Sequence, residues 1–126
     1  MVETNGRNFD LLTLGQVLLR LSPPDNERLS RGDTFVKQVG GAELNVAVGA
    51  ALLGLHTGVI SKLPAHDIGS FMKGKIRSFG VSDDFFMYDQ SPAARVGIYY
   101  YENGAYPRKP KVIYDRNHSS FFLPGY

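Results

Sequence analysis

Residues 40–69 read GGAELNVAVGAALLGLHTGVISKLPAHDIG, and this stretch decides the fold. Paired glycines precede a segment, 42–55, in which apolar residues recur at three- and four-residue spacing, which predicts a helix. Gly54 suits the left-handed turn that often ends a helix. Residues 57–63, TGVISKL, predict a strand. The order strand, glycine turn, helix, strand favours a crossover between parallel strands and hence an α/β fold.

The flanking segments extend this α/β prediction in both directions. Residues 9–15, FDLLTLG, form a short apolar run that is typical of a buried strand. Asp67 is a candidate N-cap for a second helix that runs to Phe79. Alternation of apolar and polar residues elsewhere predicts an antiparallel accessory sheet, built from segments near 18–22, 34–39, 95–101 and 111–115.

The composition bounds the class of protein. A chain of 126 residues fits one domain, and its 43% hydrophobic and 21% charged residues are ordinary for a soluble globular protein. The net charge of +2 comes from dispersed basic residues, which argues against a nucleic-acid partner. The first ten residues lack the apolar run of a signal peptide, and the longest apolar stretch, 46–55, is too short to span a membrane. We expect a cytoplasmic protein without a membrane partner.

Several kinds of site are excluded by missing residues. The chain has no cysteine, so disulfides, thiolate metal sites and cysteine nucleophiles are excluded. His56, His66 and His118 show no metal-ligand spacing, and we expect no metal site. No Gly-x-Ser-x-Gly elbow and no Gly-Lys-Ser/Thr phosphate loop is present.

The Gly40-Gly41 turn is the most informative candidate for a ligand site. Glycines let the backbone approach a ligand closely, and the first amides of the following helix are free donors. The Asn45 side chain both donates and accepts hydrogen bonds, which suits vicinal hydroxyl groups. The alternative interpretation is a plain tight turn before a helix, since Gly-Gly is common there.

The longer pattern resembles the first signature region of the ribokinase-like (PfkB) carbohydrate kinases. The positions that match in type and order are Gly40, Gly41, Asn45, Ala47, Leu53, Gly54, Lys62, Asp67 and Gly69. The opening strand is also similar, although Gln16 stands where the family usually has Glu. The resemblance implies a doubly wound, mostly parallel sheet with a small antiparallel lid sheet. Residues 1–126 would then be the N-terminal part of one kinase domain, with lid segments near 18–39 and 95–115 that also form a homodimer contact.

A narrower resemblance is to 2-keto-3-deoxygluconate kinases. It is carried by Gly-Ala-Glu-x-Asn at 41–45, Gly-x-Tyr at 97–99 and Tyr-x-Arg at 114–116. It implies that Arg116 binds a sugar carboxylate, which a guanidinium grips with two parallel hydrogen bonds. Without the family match, Arg116 is equally well a solvated charge at a strand end. The substrate-binding residues implied are Gly41, Ala42, Glu43, Asn45, Tyr99, Tyr114 and Arg116.

The resemblance also implies what this segment lacks. The family's Gly-Ala-Gly-Asp motif, which carries the catalytic base, is absent, so we expect that base beyond Tyr126. The parent enzyme would use ATP and Mg²⁺, whereas this segment alone would bind neither and would be inactive. Two alternatives stay open, namely a kinase for a neutral sugar such as fructose or ribose, and a non-catalytic sugar-binding or assembly module.

Overall fold

The computed structural model describes residues 8–122 and contains two four-stranded sheets and two helices. The first seven residues, on which part of the signal-peptide prediction depends, and the last four lie outside the described part. The strands are β1 (Leu11–Leu14), β2 (Leu18–Ser22), β3 (Val36–Gly40), β4 (Thr57–Pro64), β5 (Val81–Ser82), β6 (Phe86–Asp89), β7 (Gly97–Glu102) and β8 (Lys111–Asp115). The helices are α1 (Ala42–Leu52) and α2 (Asp67–Ser78), and a 3₁₀ turn spans Ser120–Phe122.

The first sheet is parallel and is centred on β4. Strand β1 pairs with β4 along one side, with Leu11 opposite Thr57 and Leu14 opposite Ile60. On the other side β5 pairs with the start of β4 and β6 with its end, both in parallel. Strand β4 carries almost only buried side chains, as expected of a central parallel strand. The predicted parallel sheet is therefore confirmed.

The second sheet has the order β3-β2-β7-β8 and uses the four predicted segments. It is mixed rather than antiparallel, because β2 and β7 pair in parallel while the two outer pairs are antiparallel. Strands β2 and β7 follow β1 and β6, which both run parallel to β4. They thus enter the second sheet in the same direction. A strand pattern alone does not reveal this, since the period is the same for both pairings.

The crossover prediction needs a second correction. Strand β3, which precedes the Gly40-Gly41 turn, lies in the second sheet, and the parallel partner of β4 is β1. Helix α1 therefore carries the chain from one sheet to the other. It buries Leu44 and Ala47 against the parallel sheet, where they join the core with Val59, Leu63 and the α2 side chains Met72 and Ile76.

The C-terminal ends of both helices agree with the sequence prediction, whereas the N-cap of α2 differs from it. Gly54 and Gly80 follow the two helices with φ of 93° and 82°, as a left-handed turn requires. The N-cap of α2 is His66 rather than Asp67, and its side chain makes no capping hydrogen bond. Asp67 is the first helical residue, where a carboxylate still interacts favourably with the helix dipole.

Candidate functional site

A cavity of about 400 Å³ lies where the start of α1 meets the second sheet. All seven residues implied as substrate-binding by the sequence lie in its wall, namely Gly41, Ala42, Glu43, Asn45, Tyr99, Tyr114 and Arg116. Gln16 and Leu18 complete the lining. Residues from four separate segments of the chain therefore converge on one space.

The Gly40-Gly41 turn shapes the floor of this cavity. Gly41 has a φ of 123°, which is accessible to glycine and strained for other residues. A Cβ atom at Gly41 would also lie 2.7 Å from the backbone oxygen of Gln16. At Gly40 a Cβ atom would lie 2.4 Å from the hydroxyl oxygen of Tyr99. Glycine is thus required at position 41 by its backbone conformation and by close approach, whereas a Cβ atom at Gly40 would displace the Tyr99 hydroxyl.

The first turn of α1 supplies polar groups to the cavity. The Asn45 backbone N–H donates to the Gly41 carbonyl at 2.9 Å and begins the helix, while its side chain is exposed in the cavity wall. Glu43 directs its carboxylate over Gly15, where an added Cβ atom would lie 2.2 Å from Oε1. The first amides of a helix lack intrahelical acceptors. This turn therefore offers both donors and acceptors to a polyhydroxylated ligand.

Two tyrosines form the side of the cavity contributed by the second sheet. Tyr99 of β7 and Tyr114 of β8 are register partners, and their ring centroids are 5.8 Å apart. Partners in an antiparallel pair point to the same face of the sheet. Aromatic rings with a hydroxyl group offer an apolar surface for the carbon–hydrogen face of a ligand and a hydrogen bond at the edge.

Arg116 places a positive charge at the rim beside these rings. Its Nε donates to the side-chain oxygen of Gln16 at 3.0 Å, and its guanidinium carbon lies 5.7 Å from the centroid of the Tyr114 ring. The Gln16 amide nitrogen in turn donates to the Ser119 hydroxyl at 2.6 Å. A Cβ atom at Gly97 would approach Gln16 Nε2 to 2.5 Å, so a glycine at the start of β7 leaves room for this chain of contacts.

The segment behind Ser119 is held by a buried carboxylate. Asp89, at the end of β6, accepts hydrogen bonds from the Ser91 backbone N–H at 2.9 Å and from the Ser120 hydroxyl at 2.7 Å. These hydrogen bonds, the one from the Ser91 N–H first, hold the pKa of Asp89 below its ordinary value of 3.8. The Ser120 hydroxyl also accepts from the Arg95 backbone N–H at 3.0 Å. Strand β6 is thereby linked to the segment that follows Arg116.

Gln16 and Leu18 are the lining residues that the sequence did not identify. Gln16 contacts Arg116 and Ser119 across separations of 100 and 103 residues, so no local pattern reveals its role. The one available signal was its position at the end of the first strand, where the family resemblance led us to expect an acid. Leu18 is a regular β2 residue whose place in the wall follows from its pairing with Gly40 and Gly97.

Two kinds of feature are absent from the residues that the structure describes. Among residues 8–122 no group of three or more histidine, aspartate or glutamate side chains is arranged to hold a metal ion. The part of the chain that the structure describes also contains no helix long and apolar enough to cross a membrane. Hydrogen-bonding groups, aromatic rings and one arginine converge at the cavity.

Comparison with known proteins agrees with this arrangement. The profile of the pfkB family carbohydrate kinases matches residues 8–124. A 2-dehydro-3-deoxygalactonokinase of Haloferax volcanii is 40% identical over 107 residues, which are 85% of this chain and 33% of the relative. A 5-dehydro-2-deoxygluconokinase of Listeria monocytogenes is 30% identical over 118 residues, 93% of this chain and 36% of the relative.

The fold has a close counterpart among solved structures. The crystal structure of 2-dehydro-3-deoxygluconokinase from Thermotoga maritima superposes with a TM-score of 0.85 at 41% identity, covering 91% of this chain and 34% of that one. The expected ribokinase-like fold is thus confirmed. This chain spans about a third of the length of the curated relatives it matches.

Proposed function

The chain belongs to the pfkB family of carbohydrate kinases, and from that premise we propose that it is the sugar-binding portion of an ATP-dependent kinase for 2-keto-3-deoxygluconate. In this proposal residues 1–126 are the N-terminal part of one kinase domain. The substrate-binding residues are Gly41, Ala42, Glu43, Asn45, Tyr99, Tyr114 and Arg116. Their convergence on one cavity is the observation that supports the proposal most strongly.

The chemistry of the cavity suits a sugar acid. Glu43, Asn45 and the first amides of α1 would bind hydroxyl groups, and the tyrosine rings would cover the carbon skeleton. Arg116 would bind the carboxylate, because a guanidinium forms two parallel charge-assisted hydrogen bonds with it. The names of the three relatives above also refer to keto-deoxy sugar acids. A neutral sugar would leave the charge of Arg116 without a partner.

In this proposal the phosphate donor is bound by other residues of the full-length protein. Phosphoryl transfer requires the acceptor hydroxyl, a base, the nucleotide and Mg²⁺ in one place. This chain covers about a third of the length of its curated relatives. We propose that residues beyond Tyr126 bind ATP and Mg²⁺ and supply the catalytic base. The contribution of this chain would be to bind the sugar and to orient one hydroxyl towards the donor.

The test uses the full-length product of the gene. Arg116→Ala should weaken binding of 2-keto-3-deoxygluconate by about a hundredfold, because hydrogen bonds to a charged group contribute about 1.5–3 kcal/mol. Binding of 3-deoxyfructose, in which a hydroxymethyl group replaces the carboxylate, should change less than about threefold. Titration calorimetry measures both affinities, and Arg31→Ala, at an exposed loop position, is the matched control. Equal losses for the two ligands would contradict the assignment of Arg116 to the carboxylate.

A second proposal concerns assembly. The second sheet exposes several large apolar side chains, namely Phe35, Val36, Val112 and Ile113. The ring centroids of Phe35 and Tyr100 are 5.8 Å apart, and Tyr100 pairs with Ile113 in the sheet. Exposed apolar surface of this kind commonly marks an interface. We propose that the segments near 18–39 and 95–115 form a lid through which two copies associate as a homodimer. The cavity lies beside this sheet, so dimerisation would also stabilise the wall that carries Tyr99 and Tyr114.

A further inference from the structure

The side chain of Arg95 binds the chain segment that carries Arg116. Its two Nη groups donate to main-chain carbonyl oxygens on either side of that residue, Nη2 to Asp115 at 3.0 Å and Nη1 to Asn117. Nη2 also pairs with the Asp115 carboxylate, at 3.2 Å from Oδ1. Because a guanidinium is a planar, rigid fork, it fixes the two carbonyl groups relative to each other. The residue between those carbonyl groups is Arg116.

The main chain of Arg95 is itself firmly held. Its N–H donates to the Ser120 hydroxyl at 3.0 Å, and its carbonyl oxygen accepts from the Ser120 N–H at 2.8 Å. Ser120 is completely buried, and its hydroxyl donates to the Asp89 carboxylate at 2.7 Å. Arg95 therefore has a fixed base from which its side chain holds residues 115–117.

The main chain around Arg116 has few other contacts in the described part of the chain. The ladder between β7 and β8 ends at Asp115, so Arg116 lies beyond the paired strands. Asn117 and His118, which follow it, form an exposed turn. Exposed residues without strand pairing or burial have low local stability. The hydrogen bonds from Arg95 are therefore a main constraint on this segment.

The position of Arg116 decides whether an acidic ligand can bind. Glu43 contributes a carboxylate to the same cavity wall, directed over Gly15, and this charge repels a sugar acid. Among the described residues, the Arg116 side chain forms no ion pair and donates one hydrogen bond, from Nε to Gln16, so its Nη groups remain for a ligand. Since attraction between charges weakens with distance, Arg116 offsets the repulsion best when its guanidinium directly contacts the ligand carboxylate.

We propose that Arg95 is a positioning residue for the binding of acidic sugars. By holding the main chain on both sides of Arg116, it keeps that guanidinium at the rim of the cavity, where it meets a ligand carboxylate. Arg95 lies outside the cavity wall and acts only through Arg116. This inference rests on the proposed function of the cavity and adds to it a residue that makes no contact of its own with the ligand. Its signature is the ratio of affinities for an acidic and a neutral ligand of similar shape.

The experiment replaces Arg95 in the full-length gene product in two ways. Arg95→Met removes all the side-chain hydrogen bonds, and Arg95→Lys keeps the positive charge but has a single amino group in place of the planar fork. Affinities for 2-keto-3-deoxygluconate and for 3-deoxyfructose are measured by titration calorimetry. In both variants the preference for the acid should fall by about tenfold, because a guanidinium that is no longer held must be ordered each time a ligand binds. The affinity for 3-deoxyfructose should change by less than about threefold.

A third variant, Asp115→Asn, separates the main-chain hydrogen bonds from the ion pair. It removes the charge that pairs with Arg95 and leaves both carbonyl groups in place. The preference for the acid should stay within about twofold of the wild-type value, since an exposed ion pair contributes little. A loss as large as that in Arg95→Met would show that the ion pair, and not the contact with the main chain, is responsible, and would overturn the inference.

Matched controls separate this role from damage to the fold. Arg77 also pairs with an aspartate, Asp83, at 4.0 Å, but it belongs to α2 and lies outside the cavity wall. Arg77→Met should therefore leave both affinities unchanged. If Arg95→Met does not fold, Arg95→Lys still carries the test, because it keeps the charge and most of the length of the side chain.

The outcomes distinguish this inference from the proposed function. A preference for the acid that persists in Arg95→Lys, or equal losses for both ligands, would overturn this inference alone. A wild-type protein with no preference for the acid would overturn the proposed function, and this inference with it.

Discussion

At the scale of single residues, the cavity depends on positions where an added atom has no room. The Gly40 backbone lies directly beneath the Tyr99 hydroxyl, and Gly41 adopts a backbone conformation that strains any other residue. Tyr99 can therefore extend over the start of α1 only because Gly40 has no side chain in its path. This explains physically why paired glycines occur at this point, beyond their tolerance of a tight turn.

A substitution at Gly40 tests this close approach. Gly40→Ala should push the Tyr99 hydroxyl out of the cavity and weaken binding of both acidic and neutral sugars by about five- to tenfold, since one hydrogen bond contributes about 1–1.5 kcal/mol. Combining Gly40→Ala with Tyr99→Phe removes the clashing hydroxyl. The double variant should therefore bind no more weakly than Tyr99→Phe alone in titration calorimetry. Additive losses in the double variant would show that the two residues act independently.

The residues of the cavity wall were largely predictable from the sequence. Gly41, Asn45 and Tyr99 stand within short motifs whose order along the chain resembles that of a known family. Gln16 was not predictable, because its partners Arg116 and Ser119 are about a hundred residues away. A contact between residues so far apart along the chain leaves no periodicity or spacing in the sequence.

At the scale of elements, a buried carboxylate connects the parallel sheet to the cavity wall. Asp89 at the end of β6 binds Ser91 and Ser120, and Ser120 is adjacent to Ser119, the partner of Gln16. Glu102, at the end of β7, is a second buried carboxylate that accepts a backbone hydrogen bond. The Leu29 backbone N–H that it accepts lowers the pKa of Glu102 below its ordinary value. Both carboxyl groups favour the folded state in their charged form.

The lowered pKa values predict a loss of stability in acid. Since the pKa of Asp89 is lower in the folded state than in the unfolded state, its contribution is complete well above 3.8 and is lost as the pH falls through the folded-state value. Thermal denaturation of the full-length protein should show a melting temperature that falls between about pH 5 and about pH 3. Asp89→Asn should lower the melting temperature at pH 7 and flatten this dependence.

The exposed Asp33 provides the matched control for this measurement. Asp33→Asn should reproduce the wild-type pH profile closely. If Asp89→Asn and Asp33→Asn have the same profile as the wild type, the buried carboxylate does not stabilise the fold in the way that its hydrogen bonds indicate.

The sequence pattern predicts the helices and strands but not which strands pair or in which direction. The helices and strands follow from apolar spacing and from the glycines at 54 and 80. The direction in which β7 pairs with β2 does not, because it depends on where the chain re-enters the second sheet after β6. The same limit applies to β3, whose pattern fitted both a crossover with β4 and the accessory sheet, where the structure places it. A crossover helix looks alike whether it joins two strands of one sheet or two different sheets.

At the scale of the whole molecule, the exposed apolar side chains of the second sheet bear on assembly. Phe35 and Ile113 are 45% and 49% exposed, and neither lies in the cavity wall. If the lid is a dimer contact, Phe35→Asp combined with Ile113→Asp should convert the full-length dimer to a monomer, because two buried charges at an interface are costly. Light scattering measures the mass directly.

Phe79→Asp provides the control for the assembly prediction. Phe79 follows α2, is 38% exposed and lies outside the second sheet. This variant should remain dimeric. A full-length protein that is monomeric before any substitution, or a dimer that survives the two lid changes, would contradict the proposed lid contact.

The proposed function depends on one cavity in which hydroxyl groups and a carboxylate are bound together. A crystal structure of the full-length protein with 2-keto-3-deoxygluconate tests this most directly. We predict the sugar hydroxyls at Asn45 and the first turn of α1, and the carboxylate within hydrogen-bonding distance of the Nη groups of Arg116. A sugar acid bound elsewhere, or bound here with its carboxylate turned to solvent and away from Arg116, would contradict the proposed binding mode.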